Sequence, residues 1–483
     1  MKLYPHLFID GAWTAPVEPR YIDVIDPTTE EAIASVAMGG AADVDKAVAA
    51  ARAAFADFSN STIEERIRLI DRIISSYEKR VDKFSEVIAR EAGIPRASRA
   101  QVYGPIQHMQ VARDLLRSYR FVSRLGHAIV RREPIGVCAL ISPWNWPIQT
   151  KVIKLIYGLA AGCTMVAKPS ENSPLSSLLL TEVLDEAGVP KGVFNLVNGS
   201  GREVGQAMSS HPGVDMVSFT GSTGAGRVVG ATAAATVKRV SLELGGKSAN
   251  LVLPDADLEK AARWNIQRCF FNTGQSCHAP SRLLVHASQV EQILPFLVDE
   301  ASQFRLGNPL DTATTMGPTV SARQFETIQH HIQGGIDEGA RLICGGVGRP
   351  EGLTRGYFVK PTVFAEVDPK MKIATEEIFG PVLAVIPYEN QDHAIAIANG
   401  SIYGLGGYVF TSNRAQGYEV AKELRAGRIS FNGAATDSLA PMGGYKQSGI
   451  GRSMGVFGLE EYLETKSVYG FQEEAETLPV IHG

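Results

Sequence analysis

Short apolar segments alternate with helical stretches from residue 137 onward, and this alternation limits the fold more than any other feature. Such segments are typical of strands that are buried on both faces of a parallel sheet. The first series runs through residues 137–142, 164–167, 194–197, 216–219 and 240–244. A second series begins after Gly245 and Gly246 and runs through residues 249–253, 283–285, 356–364, 382–387 and 408–411. Right-handed crossovers between such strands predict an α/β fold with two doubly wound sheets.

The residues ahead of the first series predict mainly helices. Residues 22–27 are predicted to be extended, and alanines and valines recur at helical spacing over residues 43–58. Thr62 and Glu65 form a capping box, and the helix that it begins is expected to continue to about Glu91, because Gly93 and Pro95 follow. A further helix is predicted over residues 106–119. Residues 121–133 alternate loosely in polarity, which predicts polar strands outside the buried sheets.

Composition narrows the functional class. A chain of 483 residues is too long to fold around one hydrophobic core, so two or three domains are expected. The net charge of -4 argues against a surface dedicated to nucleic acid. The 5 cysteines are scattered without metal-ligand spacing, which favours neither a disulfide framework nor a metal site. The chain has no apolar signal core and no bilayer-length apolar segment, so we expect a cytoplasmic protein without membrane contact.

Cys277 is the candidate nucleophile, because a thiolate is the strongest nucleophile among side chains near neutral pH. Thr273, Gly274 and Gln275 precede it and end a helical run over residues 258–271, so the sulfur is expected in a loop. The alternative is that Cys277 is a small buried hydrophobic residue, as cysteines often are. The surrounding motifs decide between the two interpretations.

Five motifs lie at the ends of predicted strands, where open α/β sheets place their ligands. They are residues 143–147, 168–171, 219–226, 242–247 and 376–381. In the first, Asn145 offers an amide N–H that suits an oxyanion, or else it makes a turn. In the second, Lys168 and Glu171 suit the hydroxyls of an adenosine ribose, or else they form a solvated surface pair.

The other three motifs combine polar residues with glycines at predicted turns. Residues 219–226 combine a strand end, a small-residue turn and a helix start, so backbone N–H groups can face a pyrophosphate. Their spacing departs from G-x-G-x-x-G, so the segment alone is weak evidence. Glu243 precedes two glycines and can project into a cleft, although a strand-end glutamate is often simply exposed. Glu377 precedes a Gly-Pro turn in the fifth motif.

Together the motifs resemble the aldehyde dehydrogenase superfamily in its NAD(P)-dependent, non-acylating form, over residues 8–468. Pro-Trp-Asn-Trp-Pro, Lys-Pro-Ser-Glu, Phe-Thr-Gly-Ser-Thr, Glu-Leu-Gly-Gly-Lys, Gly-Gln-Ser-Cys and Glu-Glu-Ile-Phe-Gly-Pro occur in the family's order. The resemblance implies two doubly wound Rossmann-like domains and a small β oligomerisation arm. The dinucleotide-binding domain would comprise residues 1–120 and 134–244, the catalytic domain residues 245–447, and the arm residues 121–133 and 459–483.

The resemblance also implies roles for single residues. Cys277 would attack the aldehyde carbon, and the Asn145 side chain and the Cys277 backbone N–H would hold the resulting oxyanion. Glu243 would activate water to hydrolyse a thioester, supported by Lys154. The presence of Glu243 favours water over coenzyme A as the acyl acceptor.

The implied cofactor is NAD. Its ligands would be Trp144, Lys168, Ser170, Glu171, Gly201, Phe219, Thr220, Gly221, Ser222, Leu244, Glu377 and Phe379. Lys168 and Glu171 would bind the adenosine ribose, Trp144 and Ser222 the pyrophosphate, and Glu377 the nicotinamide ribose. A carboxylate at Glu171 repels a 2′-phosphate, which favours NAD over NADP. Some relatives accept both, so an NADP-preferring semialdehyde dehydrogenase is the alternative.

The implied substrate pocket is partly polar, whereas relatives that oxidise simple aldehydes often line theirs with aromatic residues. Its residues would be Trp146, Thr150, Ile153, Ser276, His278, Asp437 and Met442, which predicts a substituted or functionalised aldehyde. Ser453 stands where many relatives carry a second glutamate for proton relay, so the proton is expected to leave by another route. A Cys277–His278 dyad is disfavoured, because adjacent loop side chains usually point apart.

Residues 121–133 and 459–471 correspond to the family's arm, which would pair strand edges across a subunit boundary in a homodimer or homotetramer. A hairpin within one chain is the alternative. Two other functions compete with aldehyde oxidation. A cysteine acyl hydrolase would leave the dinucleotide motifs without a use, and a catalytically silent scaffold is opposed by the presence of Cys277, Glu243 and Asn145. Neither a metal nor nucleic acid is expected as a partner.

Overall fold

The computed structural model describes residues 1–471 and 478–479. Its strands are β1 (Lys2–Tyr4), β2 (Leu7–Ile9), β3 (Ala12–Thr14), β4 (Arg20–Asp26), β5 (Glu31–Met38), β6 (Val122–Leu125), β7 (Ala128–Pro134), β8 (Val137–Ile141), β9 (Thr164–Lys168), β10 (Phe194–Leu196), β11 (Met216–Thr220), β12 (Arg239–Glu243), β13 (Ala249–Val252), β14 (Arg282–His286), β15 (Arg341–Cys344), β16 (Thr362–Ala365), β17 (Val382–Tyr388), β18 (Gly406–Phe410), β19 (Arg428–Phe431), β20 (Gly449–Ile450) and β21 (Leu463–Val468).

The α-helices connect these strands and cover the sheets. They are α1 (Ala41–Phe58), α2 (Ile63–Glu78), α3 (Val81–Ala92), α4 (Ala100–Ser118), α5 (Gln149–Ala161), α6 (Leu175–Glu186), α7 (Gln206–Ser210), α8 (Thr223–Ala234), α9 (Leu258–Phe270), α10 (Val290–Ser302), α11 (Ala322–Asp337), α12 (Lys372–Thr375), α13 (Gln391–Asn399), α14 (Arg414–Glu423) and α15 (Gly455–Glu460). No helix of the described ranges is both long enough and apolar enough to cross a bilayer.

Two large sheets organise the molecule. The 8-stranded sheet has the order β20-β12-β11-β8-β9-β10-β2-β3, and its strands from β12 to β10 are parallel. The 7-stranded sheet has the order β15-β16-β17-β14-β13-β18-β19, and all but β15 are parallel. In each sheet the parallel strands start near the middle, at β8 and β13, and continue outward in both directions, while the earlier strands β2 and β3 join the 8-stranded sheet at one edge. The predicted pair of doubly wound α/β sheets is therefore confirmed.

Both large sheets are covered on both faces, which explains their continuous apolar strands. In β8, Cys138 and Leu140 pack into the cluster formed with α2 to α6, whereas Val137, Ala139 and Ile141 pack toward α1 and α8 on the opposite face. Every residue of β8 is buried. Two further clusters cover the faces of the 7-stranded sheet.

The helix predicted from residue 62 to residue 91 is in fact two helices. The capping box is confirmed, because the Glu65 N–H donates to Thr62 Oγ1 at 3.2 Å and the Thr62 N–H donates to the Glu65 carboxylate at 2.8 Å. The helix is interrupted at Lys79 and Arg80, between α2 and α3. No proline or glycine marks this break. The Arg80 guanidinium instead pairs with Glu182 and Glu186 on α6.

The strand predicted over residues 356–364 is also mostly wrong. Only Thr362–Ala365 pairs as a strand, in β16. Gly356 adopts φ 87°, and Pro361 has no N–H to donate to a ladder, so the preceding residues form a loop. This loop is held by the Tyr357 N–H, which donates to Pro27 O at 3.0 Å.

The polar segment over residues 121–133 forms strands outside the large sheets, as predicted. Strands β6 and β7 form an antiparallel hairpin, and β21 pairs with β7 on its other side. The two predicted segments of the arm therefore pair with each other within one chain. Of the predicted arm residues 459–483, those at 472–477 and 480–483 lie outside the described residues. A separate small sheet near the N-terminus has the order β1-β5-β4.

Candidate active site

A cavity of about 1400 Å³ brings the predicted nucleophile and the predicted base together. Cys277 enters it from the segment that precedes β14, and Glu243 enters it from the end of β12. The predicted pocket residues that also line it are Trp146, Thr150, Ile153, His278, Asp437 and Met442. Ser276 is buried beside the cavity, where its Oγ accepts a hydrogen bond from Trp146 Nε1 at 3.2 Å.

The motifs occupy opposite ends of strands in the two sheets. Four of them follow the carboxyl ends of β8, β9, β11 and β12 in the 8-stranded sheet, as expected for an open α/β sheet. Residues 376–381 differ, because they precede β17, and the Cys277 loop likewise precedes β14. The expected carboxyl-end placement of the fifth motif is therefore wrong.

A left-handed turn places Cys277 just beyond the end of α9. Asn272 and Thr273 have φ of 55° and 57°, and Gly274 has φ of 70°. The left-handed region is unfavourable for a β-branched threonine, so this turn must be fixed by its surroundings. Asn272 Nδ2 donates to Asn145 O at 2.8 Å, and Thr273 Oγ1 donates to Gly317 O at 3.0 Å.

Asn145 and the nucleophile loop form one hydrogen-bonded unit. Asn145 Nδ2 donates to Gln275 O at 3.0 Å, and the Val320 N–H donates to the Gln275 side chain at 3.0 Å. A side-chain amide has two N–H groups, so Asn145 retains a second donor. Asn145 is buried, and its bond to Gln275 O restricts the rotation of its amide group.

The surroundings of Cys277 favour the protonated form of its thiol. Burial raises the pKa of Cys277 to about 12, and the negative charges of Glu243 and Glu377 add to this effect. Arg428 opposes the shift, as does the hydrogen bond that the backbone N–H of Cys277 directs at its own sulfur. A nearby base must therefore remove the thiol proton before the sulfur can attack.

Glu243 is a buried carboxyl group with several polar and charged neighbours. Burial raises its pKa, while the charge of Lys154 and a hydrogen bond from Ser453 lower it. Ser453 Oγ donates to Glu243 Oε1 at 3.2 Å. A raised pKa makes the Glu243 carboxylate a stronger base than an ordinary glutamate, which suits it to accept a proton during catalysis.

Lys154 lies on α5 and is also buried. Its Nζ donates to Ser218 Oγ on β11 at 2.9 Å. Burial lowers the pKa of Lys154 to about 8, while the negative charges of Glu243 and Glu461 oppose this shift. Lys154 therefore supplies positive charge near Glu243 without contacting it through a hydrogen bond.

His278 lies closer to Cys277 than expected for adjacent loop residues. Its Nδ1 is 3.9 Å from Cys277 Sγ, so the expectation that the two side chains point apart is wrong. Burial and then the charges of Arg428 and Arg268 hold the pKa of His278 well below its usual value. The imidazole is consequently neutral and a weak base. Its ring stacks on Trp146 at a centroid distance of 6.4 Å.

The predicted adenosine-ribose residues form a connected group at the end of β9. Lys168 Nζ is 3.2 Å from Glu171 Oε2 and donates to Pro169 O at 2.8 Å. The other carboxylate oxygen of Glu171 accepts from the Gly201 N–H at 2.9 Å. Ser170 caps the turn between them by accepting from the Asn172 N–H. Lys168 is 3% exposed and Glu171 is 37% exposed, so the carboxylate faces outward.

The turn between β11 and α8 provides a helix N-terminus. Ser222 Oγ accepts from the Ala225 N–H at 3.3 Å and so caps α8. Phe219 and Thr220 end β11, and Thr220 also lines the cavity. The Gly221 N–H donates to Glu243 O at 3.1 Å. Leu244 is buried, and its N–H donates to Ser448 O at 2.9 Å.

Glu377 approaches the same region from the 7-stranded sheet. Its Oε1 accepts from the Gly246 N–H at 3.0 Å, and a Cβ at Gly245 would lie 2.2 Å from its other oxygen. Burial raises the pKa of Glu377 to about 7, although that hydrogen bond opposes the shift. Phe379 has φ 58°, and its ring meets Trp144 edge-on at 5.4 Å.

These groups suit a dinucleotide better than a metal. Glu171 and Lys168 offer an acceptor and a donor for ribose hydroxyls, and the capped N-terminus of α8 suits a pyrophosphate. A Cβ at Gly201 would meet no atom within 4 Å, so space lies beside this backbone. Within the described ranges, no group of three or more histidine, cysteine or acidic side chains is arranged to hold a metal ion.

Sequence reasoning missed several residues of the site. Asn272 and Gln275 fix the nucleophile loop, and the Asn-x-Gly pattern was the available signal, since these residue types tolerate left-handed backbone. Ser453 contacts Glu243 directly rather than merely replacing a glutamate. Arg268 and Arg428 line the cavity without any motif to indicate them.

The chain matches the model of the aldehyde dehydrogenase family over residues 13–468. The 3-succinoylsemialdehyde-pyridine dehydrogenase of a Pseudomonas species is 48% identical over 475 residues, which cover 98% of this chain and 100% of that relative.

Two solved structures share the fold throughout. A mutant of aldehyde dehydrogenase C from Pseudomonas syringae, in complex with NAD+ and octanal, is 49% identical, with a TM-score of 0.96 over 96% of each chain. The Mycobacterium tuberculosis aldehyde dehydrogenase, in complex with NAD+, is 42% identical, with a TM-score of 0.94 over 97% of this chain and 98% of that chain. With the family match and these relatives, the chain belongs to the aldehyde dehydrogenase family.

Proposed function

We propose that this protein oxidises an aldehyde to a carboxylic acid with NAD, using Cys277 as the nucleophile and Glu243 as the base. The observation that carries the proposal is that a half-buried thiol and a buried carboxyl group line one cavity. Asn145 is bonded to the loop that carries the thiol, and the predicted dinucleotide residues adjoin the base through Gly221.

The first step forms a bond between the Cys277 sulfur and the aldehyde carbon. Glu243 accepts the thiol proton, and the sulfur then attacks the carbonyl group. Negative charge develops on the aldehyde oxygen, where the free N–H of Asn145 and the backbone N–H of Cys277 donate hydrogen bonds. Because both donors belong to one hydrogen-bonded unit, they need little reorganisation when this charge develops.

Later steps release the acid. NAD+, when bound, accepts the hydride that leaves the former aldehyde carbon. Cys277 is then joined to the acyl group as a thioester. Once Glu243 has released the thiol proton to solvent, it takes a proton from water, and the resulting hydroxide attacks the thioester carbonyl. The carbon–sulfur bond then breaks, the acid leaves, and Glu243 returns its proton to the sulfur to restore the thiol. Overall, aldehyde, water and NAD+ give acid, NADH and a proton.

Cofactor binding would use the predicted residues. Lys168 and Glu171 would bind the adenosine ribose, Ser222 and Trp144 the pyrophosphate, and Glu377 the nicotinamide ribose. The carboxylate of Glu171 favours NAD over NADP. The NAD+ complexes of the P. syringae and M. tuberculosis relatives support this assignment.

The same proposal covers the organisation of the protein. Residues 1–120 and 134–244 would form the dinucleotide-binding domain, and residues 245–447 the catalytic domain. The sheet of β6, β7 and β21 would form an arm that joins subunits into a dimer or tetramer in the cytoplasm. Exposed apolar side chains at Leu125 and Tyr469 in and beside this sheet support an interface there.

Substitution of Cys277 and Glu243 tests the mechanism. With an active aldehyde, Cys277→Ala should abolish NADH formation at 340 nm, because no covalent intermediate can form. Glu243→Gln should still give about one equivalent of NADH, in a slower burst because the thiol has lost its base. It should then turn over roughly a hundredfold or more slowly, because thioester hydrolysis also lacks its base.

Cys344→Ala is the matched control, because Cys344 is a partly exposed cysteine that does not line the cavity. It should keep normal activity. Full steady-state turnover in Glu243→Gln would remove Glu243 from the hydrolysis step. Ester hydrolysis by the wild type without any aldehyde-dependent NADH would instead favour a cysteine acyl hydrolase.

A further inference from the structure

We propose that Arg268 and Arg428 form an anion subsite in the cavity of Cys277, so that the preferred substrates are aldehydes that also carry a carboxylate. The inference rests on the proposed aldehyde oxidation and specifies its substrate class. Both guanidinium-bearing residues line the same cavity as the nucleophile.

Strand pairing places Arg428 on the side of the cavity that lies near the nucleophile loop. Arg428 is the first residue of β19 and lies opposite Gly406, while Tyr408 lies opposite Ser430. Alternate residues share a face, so Arg428 and Tyr408 project to the same side of the sheet. Tyr408 Oη donates to His278 O at 2.7 Å, one residue beyond Cys277. The charge of Arg428 acts on both Cys277 and Tyr408.

Helix α9 brings Arg268 to the same wall. Arg268 lies four residues after Trp264 and three before Phe271, so these three side chains lie along one face of the helical segment. Trp264 packs against Tyr408 with ring centroids 5.0 Å apart, and Phe271 lines the cavity. The charge of Arg268 consequently acts on Tyr408 and His278, as the charge of Arg428 does.

Neither arginine has an acidic partner among residues 1–471 and 478–479. Arg263, on the same helix, is different, because it pairs with Glu259, Asp299 and Glu300. Both arginines are half-buried, and a half-buried guanidinium group without a counter-ion loses hydration that no protein anion replaces. The wall therefore presents positive charge that a ligand can neutralise.

The remaining charges of the cavity do not cancel this excess. Its acidic lining residues are Glu243 and Asp437. The charge of Glu243 is shared among Lys154, Arg452 and Arg428, and Glu243 also accepts a hydrogen bond from Ser453. Asp437 is exposed and accepts from the Leu439 N–H. Arg99 and Arg414 add further positive charge among the exposed lining residues. A carboxylate is the matching ligand, because its two oxygens accept paired hydrogen bonds from a guanidinium group.

Matched pairs of charged and neutral substrates distinguish binding at this subsite from a general effect of the two arginines on the thiol. The full-length protein and NAD are assayed with succinic semialdehyde against butanal, and with 4-formylbenzoate against its methyl ester. We expect kcat/KM to favour each acid by roughly tenfold or more over its neutral counterpart. In Arg428→Gln and in Arg268→Gln, this acid-to-neutral ratio should fall roughly tenfold to hundredfold, the effect of losing a hydrogen bond to a charged group.

Arg263→Gln is the control, because it removes one positive charge from the same helix outside the cavity. It should leave the acid-to-neutral ratio unchanged. A wild type that prefers the neutral aldehydes would overturn the subsite. So would an Arg428→Gln variant that slows both members of each pair equally, since Arg428 would then act only on the thiol.

Binding provides a readout that does not depend on turnover. Succinate should raise the Tm of the wild type, whereas the neutral succinamide should raise it less, and the difference should disappear in the Arg268→Gln, Arg428→Gln double variant. Equal effects of succinate and succinamide on the wild type would overturn the subsite. If only the proposed aldehyde oxidation were wrong, neither class of aldehyde would give NADH, but succinate would still raise the Tm of the wild type.

Discussion

Ser453 donates a hydrogen bond directly to Glu243, the proposed base. From the sequence, Ser453 is notable only because many relatives carry a glutamate at this position. Its hydroxyl stabilises the ionised form of Glu243 and so lowers the pKa of that carboxyl group against the effect of burial. In Ser453→Ala, the pKa of Glu243 should rise, and less of the carboxylate should be ionised at a given pH. The acid limb of the kcat profile should therefore move to higher pH, with a severalfold loss of kcat on that limb.

The measurement is steady-state kcat between pH 5.5 and 9, beside the amplitude of the NADH burst. Ser453→Thr retains the hydroxyl and should keep the wild-type limb. If the acid limb of the pH profile of Ser453→Ala coincided with that of the wild type, the hydrogen bond between Ser453 and Glu243 would have no part in thioester hydrolysis.

Glu171 is the residue that should set the choice between NAD and NADP. Its exposed carboxylate would lie beside the adenosine ribose, where a 2′-phosphate would be repelled. In Glu171→Gln, the ratio of kcat/KM for NADP to that for NAD should rise roughly tenfold, which corresponds to about 1.4 kcal/mol. Glu203→Gln, which removes a nearby exposed acid paired with Arg20, is the control. A wild type that prefers NADP would contradict the assignment.

At the scale of elements, the nucleophile loop packs directly against the turn that carries Glu377. A Cβ at Gly274 would lie 2.1 Å from Gly380 O, so Gly274→Ala must displace one of the two loops. Gly188 offers a matched control, because it has φ 75° but nothing within 4 Å of a Cβ. Gly188→Ala should cost about 1–2 kcal/mol of stability through backbone strain alone.

Gly274→Ala should lower the Tm further than Gly188→Ala and should slow the NADH burst roughly a hundredfold or more, since Cys277 lies three residues away. Thermal unfolding and pre-steady-state absorbance measure the two effects. Equal losses in both variants would mean that contact between the loops does not position the sulfur.

Individual elements show which features of the fold the sequence predicts and which it does not. Strand β8 was predictable because all its residues are buried, and the start of α2 was predictable because Thr62 and Glu65 interact locally. The break at Arg80 was not predictable, because its ion pairs are with residues on α6. Local patterns thus identify elements, whereas contacts between elements set several of their ends.

The same distinction applies to the site. Motifs indicated Cys277, Glu243 and Asn145 because each lies in a short run of unusual composition. The Ser453–Glu243 hydrogen bond joins residues 210 positions apart, and no local pattern indicates it. Arg428 was missed for the same reason, since an arginine that begins an edge strand commonly faces solvent.

At the scale of the whole molecule, the proposed arm makes a prediction about assembly. Leu125 on β6 is 51% exposed, and a glutamate there would place charge in the proposed subunit interface. Light scattering at micromolar concentration should give a dimer or tetramer for the wild type and a lower mass for Leu125→Glu. Leu342→Glu, at a 40% exposed leucine on β15, should keep the wild-type mass. A monomeric wild type would contradict the proposed assembly.

The buried environment of Cys277 has a consequence for the protein between catalytic cycles. Because its sulfur keeps a proton, the idle enzyme should react slowly with peroxide and with alkylating reagents such as iodoacetamide. The Cys277 sulfur would become sensitive to these reagents only while Glu243 holds the thiol proton. The same burial that delays the reaction would thus preserve the enzyme under oxidative conditions that inactivate proteins with an exposed thiolate.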